Sequence, residues 1–319
     1  MAELAQLASD LLPREEGSMV VFGSLARAEF TADSDLDWTI IVDGRADSRH
    51  LEIVHCLKRR LEAAKFNVPG PTEVFGGLVF SHDLIHAIGG DEDTNRNMTR
   101  RLLLILESAA IDRAESKQVH DRVINGILYR YVKEDASFIS HRDNKIPRFL
   151  LNDVVRFWRT MAVDYANKYR VRAGDKWALR NIKLRMSRKL LFISGLFMCF
   201  SWALDNHESD DHKFINQNLV SYLRVWTQRP PLESLAMIVE KYAPSLTTEV
   251  FENYDAFLAI LADNQKRDLL KKLAPEEAYS DEVFLEARQI ASNFDAALIE
   301  LLFKSNKRIT QLAQKYGVF

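Results

Sequence analysis

Between Val20 and Val42 the chain reads VVFGSLARAEFTADSDLDWTIIV, and no other stretch constrains its fold so tightly. Ser18 to Phe22 is a short apolar run closed by Gly23, which reads as a buried strand. Ser24 to Glu29 suits a helical turn or two. A loop then delivers Ser34-Asp35-Leu36-Asp37 to a second strand over Leu36 to Val42, rich in β-branched residues and closed by the turn Asp43-Gly44.

Around this stretch the pattern is mixed. Residues 1–12 form a short amphipathic helix in this reading, ended by Pro13. His50 to Phe66 has helical spacing through Leu51, Val54, Leu57 and Leu61. Asn67 to Pro71 is a turn cluster, and Thr72 to Phe80 reads as a third strand broken or bulged at Gly76-Gly77. From Arg96 on, helical spacing takes over: residues 98–110, 119–132, 147–169, 177–203, 245–261, 281–302 and 305–315. The expected fold class is α+β, with a small α/β domain over residues 1–115 and a large all-helical domain over residues 116–319.

The 319 residues are 47% hydrophobic, enough for one large core or two smaller ones. Lys and Arg number 43 against 45 Asp and Glu, so the net charge of -2 argues neither for nor against nucleic acid; only local clusters can. Cys56 and Cys199 lie far apart and fit no zinc motif or disulfide framework, so reduced, buried thiols are expected. The apolar run Leu190 to Leu204 is interrupted by Ser194, Gly195 and Ser201 and falls short of the ~20 residues of a membrane span. It reads as a core helix. Met1 to Ser18 has neither a basic n-region nor a long apolar core, so no signal peptide, no membrane contact and a cytoplasmic location are the expectations.

The Val20–Val42 pattern has a chemical reading. Gly23, lacking a Cβ, lets backbone approach a phosphate closely. Ser24 and the first amides of the following helix offer donors to phosphate oxygens. Asp35 and Asp37, two residues apart at a strand, project their carboxylates from one face. Such a pair suits Mg²⁺, with Mn²⁺ as a substitute, because the hard cation favours carboxylate and triphosphate oxygens. A Gly-Ser after a strand or an Asp-x-Asp before one is an ordinary turn when met alone; it is their combination that points to chemistry. No Gly-x-x-x-x-Gly-Lys-Ser/Thr or Gly-x-Gly-x-x-Gly run occurs, so a P-loop or dinucleotide fold is not supported.

Gly23-Ser24-Leu25-Ala26-Arg27-Ala28-Glu29 followed by Ser34-Asp35-Leu36-Asp37 resembles the GS-x-A-R-G-E … SD-x-D motif of the DNA-polymerase-β nucleotidyltransferase superfamily. Residues 83–113 are more loosely similar to the segment after the catalytic domain in bacterial signal-protein uridylyltransferases. Position by position, the resemblance implies a phosphate-binding turn at Gly23 and Ser24, a metal pair at Asp35 and Asp37, and a nucleotide-side role for Arg27. Ala28 stands where the family has glycine, and Trp38 where it has an aliphatic residue.

The resemblance also implies a third acid. Glu73, at the start of the third strand, is the first choice, Asp83 the second; Asp91 and Asp93 fall in a polar loop and read as solvated charge. In the helical half Lys168 to Lys189 is the most basic stretch. Lys176, Arg180, Lys183 and Ser187 share one helix face, which either puts Arg180 or Lys183 on the triphosphate, receives an anionic second substrate such as RNA, or is simply a solvated face. The implied reaction moves a nucleoside monophosphate from a nucleoside triphosphate, ATP by default, to an acceptor hydroxyl on a protein, an RNA end, a small molecule or a second nucleotide. The alternative is a nucleotide-binding regulator or toxin–antitoxin partner without catalysis.

Overall fold

The computed structural model describes residues 1–8, 10–12, 15–31, 34–67, 74–111, 114–138, 146–171, 176–205 and 212–317. The chain divides into two compact units, Met1–Phe149 with Asp210–Pro230 and Leu150–Ser209 with Pro231–Phe319. In order the elements are α1 (Ala2–Ala8), β1 (Gly17–Phe22), α2 (Gly23–Ala26), β2 (Trp38–Val42), α3 (Arg49–Ala63), β3 (Gly77–Phe80), α4 (Ser81–Ile85), α5 (Asn95–Leu106), β4 (Ser108–Ala110) and α6 (Ala114–Phe138). Helices follow: α7 (Arg148–Val171), α8 (Trp177–Arg185), α9 (Ser187–Asp205), α10 (His212–Trp226), α11 (Pro231–Tyr242), α12 (Thr247–Ala262), α13 (Asn264–Lys272), α14 (Pro275–Ala278), α15 (Glu282–Phe303) and α16 (Lys307–Leu312). A mixed α/β domain thus precedes a large helical region, as the sequence pattern implies.

The sheet has the order β3-β2-β1-β4. β1 pairs antiparallel with β2 and with β4, and β2 parallel with β3. All of β1 is buried, so both of its faces are covered. On one face Met19, Val21, Leu36, Trp38, Ile40 and Val42 form a core with Leu4 and Ala8 of α1 and Val54, Leu57 and Leu61 of α3. Strand alternation therefore turns Asp35, Asp37, Thr39 and Ile41 to the opposite face. α6 lies on that face: Ser108 of β4, directly opposite Phe22, meets Nε2 of His120 at 2.8 Å.

In the first unit four details depart from the sequence reading. The buried stripe of α3 is His50, Val54, Leu57 and Leu61, while Leu51 is 63% exposed. A helix turns about 100° per residue, so Leu51 sits off the line that His50 holds. The helix expected over 98–110 stops at Leu106, and Ser108–Ala110 joins the sheet as β4. β3 starts at Gly77, behind a left-handed Gly76. Asp93 is not solvated: its carboxylate accepts two bonds of 2.7 Å from Arg101, whose side chain is wholly buried. Arg101 Nε also donates to Tyr131 Oη of α6 at 3.1 Å. Burial works against the Arg101 charge, yet Asp93 and Tyr131 outweigh it and hold the guanidinium firmly protonated.

In the second unit, residues 193–202 of α9 are buried throughout. Trp177–Asp205 is long and apolar enough to cross a membrane by length and composition, but 78% of its most apolar window is buried inside the fold. The helix expected over 177–203 breaks at Met186 into α8 and α9. Trp177 packs on Tyr279 and Phe284, and Trp158 stacks on Phe192, so these aromatics serve packing. Cys199 is buried and Cys56 half-buried, both as free thiols.

Replacing Asp93 with Ala strands a buried guanidinium, and should cost about 3–5 kcal/mol in urea unfolding; an unchanged midpoint would contradict the pairing. His120 gives a pH test. Burial is the main cause pushing it down to about 4 from 6.5, Arg224 adds to the shift and Asp121 opposes it. Between those values the unfolded chain binds the proton and the folded chain does not, so stability falls as pH drops through that window, by about 3 kcal/mol in all. His120→Gln should lose correspondingly less stability between pH 7 and pH 4 than the wild type does.

Candidate active site

The junction of β1 and α2 is set by Gly23, whose φ of +64° lies in the left-handed region. A Cβ built there would sit 3.2 Å from Asp37 Oδ2, so the Asp37 carboxylate lies directly over this glycine. The two strands are held together at that level by Phe22 N–H donating to Asp37 O at 3.0 Å. α2 then turns tightly, with Arg27 N–H bonded to Gly23 O and Glu29 N–H to Ser24 O. Ser24 is half-buried beside the turn.

Asp35 is exposed and Asp37 half-buried, and both precede the first residue of β2. Their loop is pinned from within. Ser34 Oγ accepts from Thr31 N–H at 3.1 Å, and Leu36 N–H donates to Asn67 O at 3.0 Å. Leu36 is 1% exposed in the α3-side core, which fixes the acids flanking it on the other face. The serine of Ser-Asp-x-Asp is thus a loop clasp.

Arg27 is engaged by protein. Its Nε donates to Glu29 Oε2 at 2.8 Å and its Nη1 bonds Glu107, all three side chains being at most 10% exposed. Glu107 ends α5 just before β4, so this pair ties the α2 turn to an element eighty residues away in sequence. Sequence reasoning missed Glu107, because the apolar run from Leu102 to Leu106 gives no stop signal ahead of it.

Glu73, the expected third acid, lies outside the described residues. Asp83 and Asp91 are exposed, and Asp93 is committed to Arg101. His82 and His86 are exposed with ring centroids 4.9 Å apart. Among the described residues no group of three or more His, Cys, Asp or Glu comes together to hold a metal. Asp35 and Asp37 still suit a Mg²⁺ site, since Mg²⁺ keeps several waters and is bound by one or two carboxylates together with substrate phosphates. Gly23, without a Cβ, brings bare backbone against the Asp37 carboxylate.

Arg180 and Lys183 are half-buried on α8, in the second unit, whereas Asp35 and Asp37 belong to the first. Ser187, the fourth member of their expected polar face, is buried and donates to Lys183 O at 3.3 Å.

With this geometry in place, comparison with known proteins adds one match. Residues 1–68 fit the family model described as nucleotidyltransferase domain, of the polymerase-β-like kind. The matched segment contains Gly23, Ser24, Arg27, Asp35 and Asp37. No curated protein and no solved structure matches the chain. The match associates the α/β domain with nucleotidyltransferase activity at the family level.

Two substitutions separate the glycine positions of the motif. Ala28 has a φ of +60°, a left-handed conformation that strains a residue with a side chain. Ala28→Gly should stabilise the fold by about 0.5–1 kcal/mol, the relief of a left-handed alanine less the extra entropy of an unfolded glycine. Gly23→Ala should cost about 1–2 kcal/mol and displace Asp37 as well. Thermal unfolding of the two variants checks the opposite signs.

Proposed function

We propose that this chain is a Mg²⁺-dependent nucleotidyltransferase. It moves a nucleoside monophosphate from a nucleoside triphosphate, ATP by default, to an acceptor hydroxyl, and pyrophosphate leaves. The observation that carries this reading is the Asp37 carboxylate seated over a side-chain-free, left-handed Gly23, within the segment that fits the nucleotidyltransferase family. A phosphate-approach turn and an acid pair at one point are what in-line transfer to phosphorus asks of a protein, which contributes chiefly position and charge.

In this reading Gly23 admits the triphosphate, and Ser24 with the first amides of α2 donates to its oxygens. Asp35 and Asp37 hold the metal. When bound, Mg²⁺ neutralises charge on the triphosphate oxygens. Arg27 fixes the turn through Glu29 and Glu107, at the nucleotide side of the site. Glu73 is proposed as the third acid, to activate the acceptor hydroxyl or share the metal. The acceptor belongs to one of four classes: protein side chain, RNA end, small molecule or nucleotide.

The test uses α-labelled ATP, CTP, GTP and UTP with Mg²⁺ or Mn²⁺ and separated protein, RNA and small-molecule extracts. Label should appear in one fraction, and Asp35→Ala or Asp37→Ala should abolish it by at least about a hundredfold, the scale of removing a positioned charge at a reacting phosphate. Glu73→Ala, Arg180→Ala and Lys183→Ala in the same assay test their expected roles. Nucleotide binding without label in any fraction would favour a regulatory protein instead.

A further inference from the structure

The short helix α4 is seated by its apolar side. Leu84 is fully buried, and Ile85 packs on the bare backbone of Gly126 in α6, where a Cβ would meet Ile85 Cδ1 at 2.7 Å. At about 100° per residue, a turn seated through Leu84 and Ile85 carries His82 and His86 outward together, with Asp83 beside them. All three are exposed. The backbone fixes the spacing of the two histidines, since His86 N–H donates to His82 O at 2.9 Å. The parallel register sets Phe80 beside Val42, so α4 starts at the end of β3 remote from Asp37.

The two imidazole rings do not splay apart. Their centroids are 4.9 Å apart, with 33° between the ring planes. A Zn–N bond of about 2.0–2.1 Å puts each ring centroid about 3.2 Å from a shared ion. Two such centroids lie about 4.5 Å apart on a right-angled metal and about 5.2 Å apart on a tetrahedral one. The observed spacing falls between these, so both rings reach one ion without a shift of the backbone. Histidines four residues apart on one helix face are also the spacing at which His-x-x-x-His helices hold zinc. Imidazole nitrogen suits Zn²⁺, Cu²⁺ and Ni²⁺, whereas Mg²⁺ prefers oxygen. Among the described residues no third His, Cys, Asp or Glu joins the pair.

We infer that His82 and His86 form a two-histidine site for a divalent transition-metal ion of the Zn²⁺, Cu²⁺ and Ni²⁺ class. The exposed Asp83 carboxylate adds negative charge to the same turn, and water completes the coordination. The site is separate from the Asp35 and Asp37 pair and does not depend on the nucleotidyltransferase reading.

The test is titration calorimetry of the full, tag-free chain with Zn²⁺ and, separately, with Cu²⁺, in excess Mg²⁺ so that oxygen sites are filled. The wild type should bind an ion that His82→Ala and His86→Ala each weaken by at least about tenfold, the scale of disturbing a metal ligand. A chelate needs both rings, so the double variant should lose little more than either single one. Cys56→Ala should bind as the wild type does. No transition-metal binding by the wild type, binding unchanged in both single variants, or single losses that simply add in the double variant would overturn the assignment. So would a loss in Cys56→Ala as large as that in the histidine variants.

Discussion

A left-handed backbone at the end of β1 governs this site. An L-residue with a side chain resists a φ of +64°, and at Gly23 the place of the missing Cβ is taken up by the Asp37 carboxylate. The glycine therefore does two things at once: it turns the chain from strand into helix, and it leaves a carboxylate beside bare backbone. Phe22 N–H bonded to Asp37 O locks the two strands at that level. Arg27, tied to Glu29 and Glu107, then holds the short helix α2 against the end of α5. Surface ion pairs contribute little, but this one is buried, so loss of either partner leaves an uncompensated charge inside the fold.

The sheet separates scaffold from chemistry by its two faces. Even-numbered residues from Leu36 to Val42 pack with α1 and α3, and the acids between and before them turn to the face covered by α6. Arg101 points inward to Asp93 and Tyr131, while Arg100, its neighbour, reaches Val74 at the entry of β2. Adjacent arginines on one helix thus take a structural and a polar role, separated by a turn of about 100°.

The local features of this fold are legible in the amino-acid sequence. β1, β2 and α3 follow from apolar runs bounded by turn residues and from helical spacing, and the position of Gly23 against Asp37 follows from a motif within one hairpin-sized stretch. The features that are not legible depend on distant parts of the chain. β4 is Ser108-Ala109-Ala110, a sequence with no β preference that becomes a strand only because β1 offers it an edge. Asp93 reads as solvated until Arg101 is seen to bury with it, and Glu107 has no visible role until Arg27 is found beside it. Ala28 acquires a physical cost only once its φ is known. Glu73 lies outside the described residues.

The central claim is that a metal–nucleotide complex binds where Asp37 overlies Gly23. Iron(II) put in place of Mg²⁺, with ATP present and the protein folded, reduces added hydrogen peroxide to hydroxyl radicals that cut the backbone closest to the bound ion, ascorbate returning the iron to the ferrous state. The account predicts cuts at Gly23–Ser24 and at Asp35–Asp37, suppressed by excess Mg²⁺ and absent from Asp35→Asn and Asp37→Asn variants that still fold. Cuts confined to other parts of the chain, or cuts at these positions that persist in both variants, would contradict it.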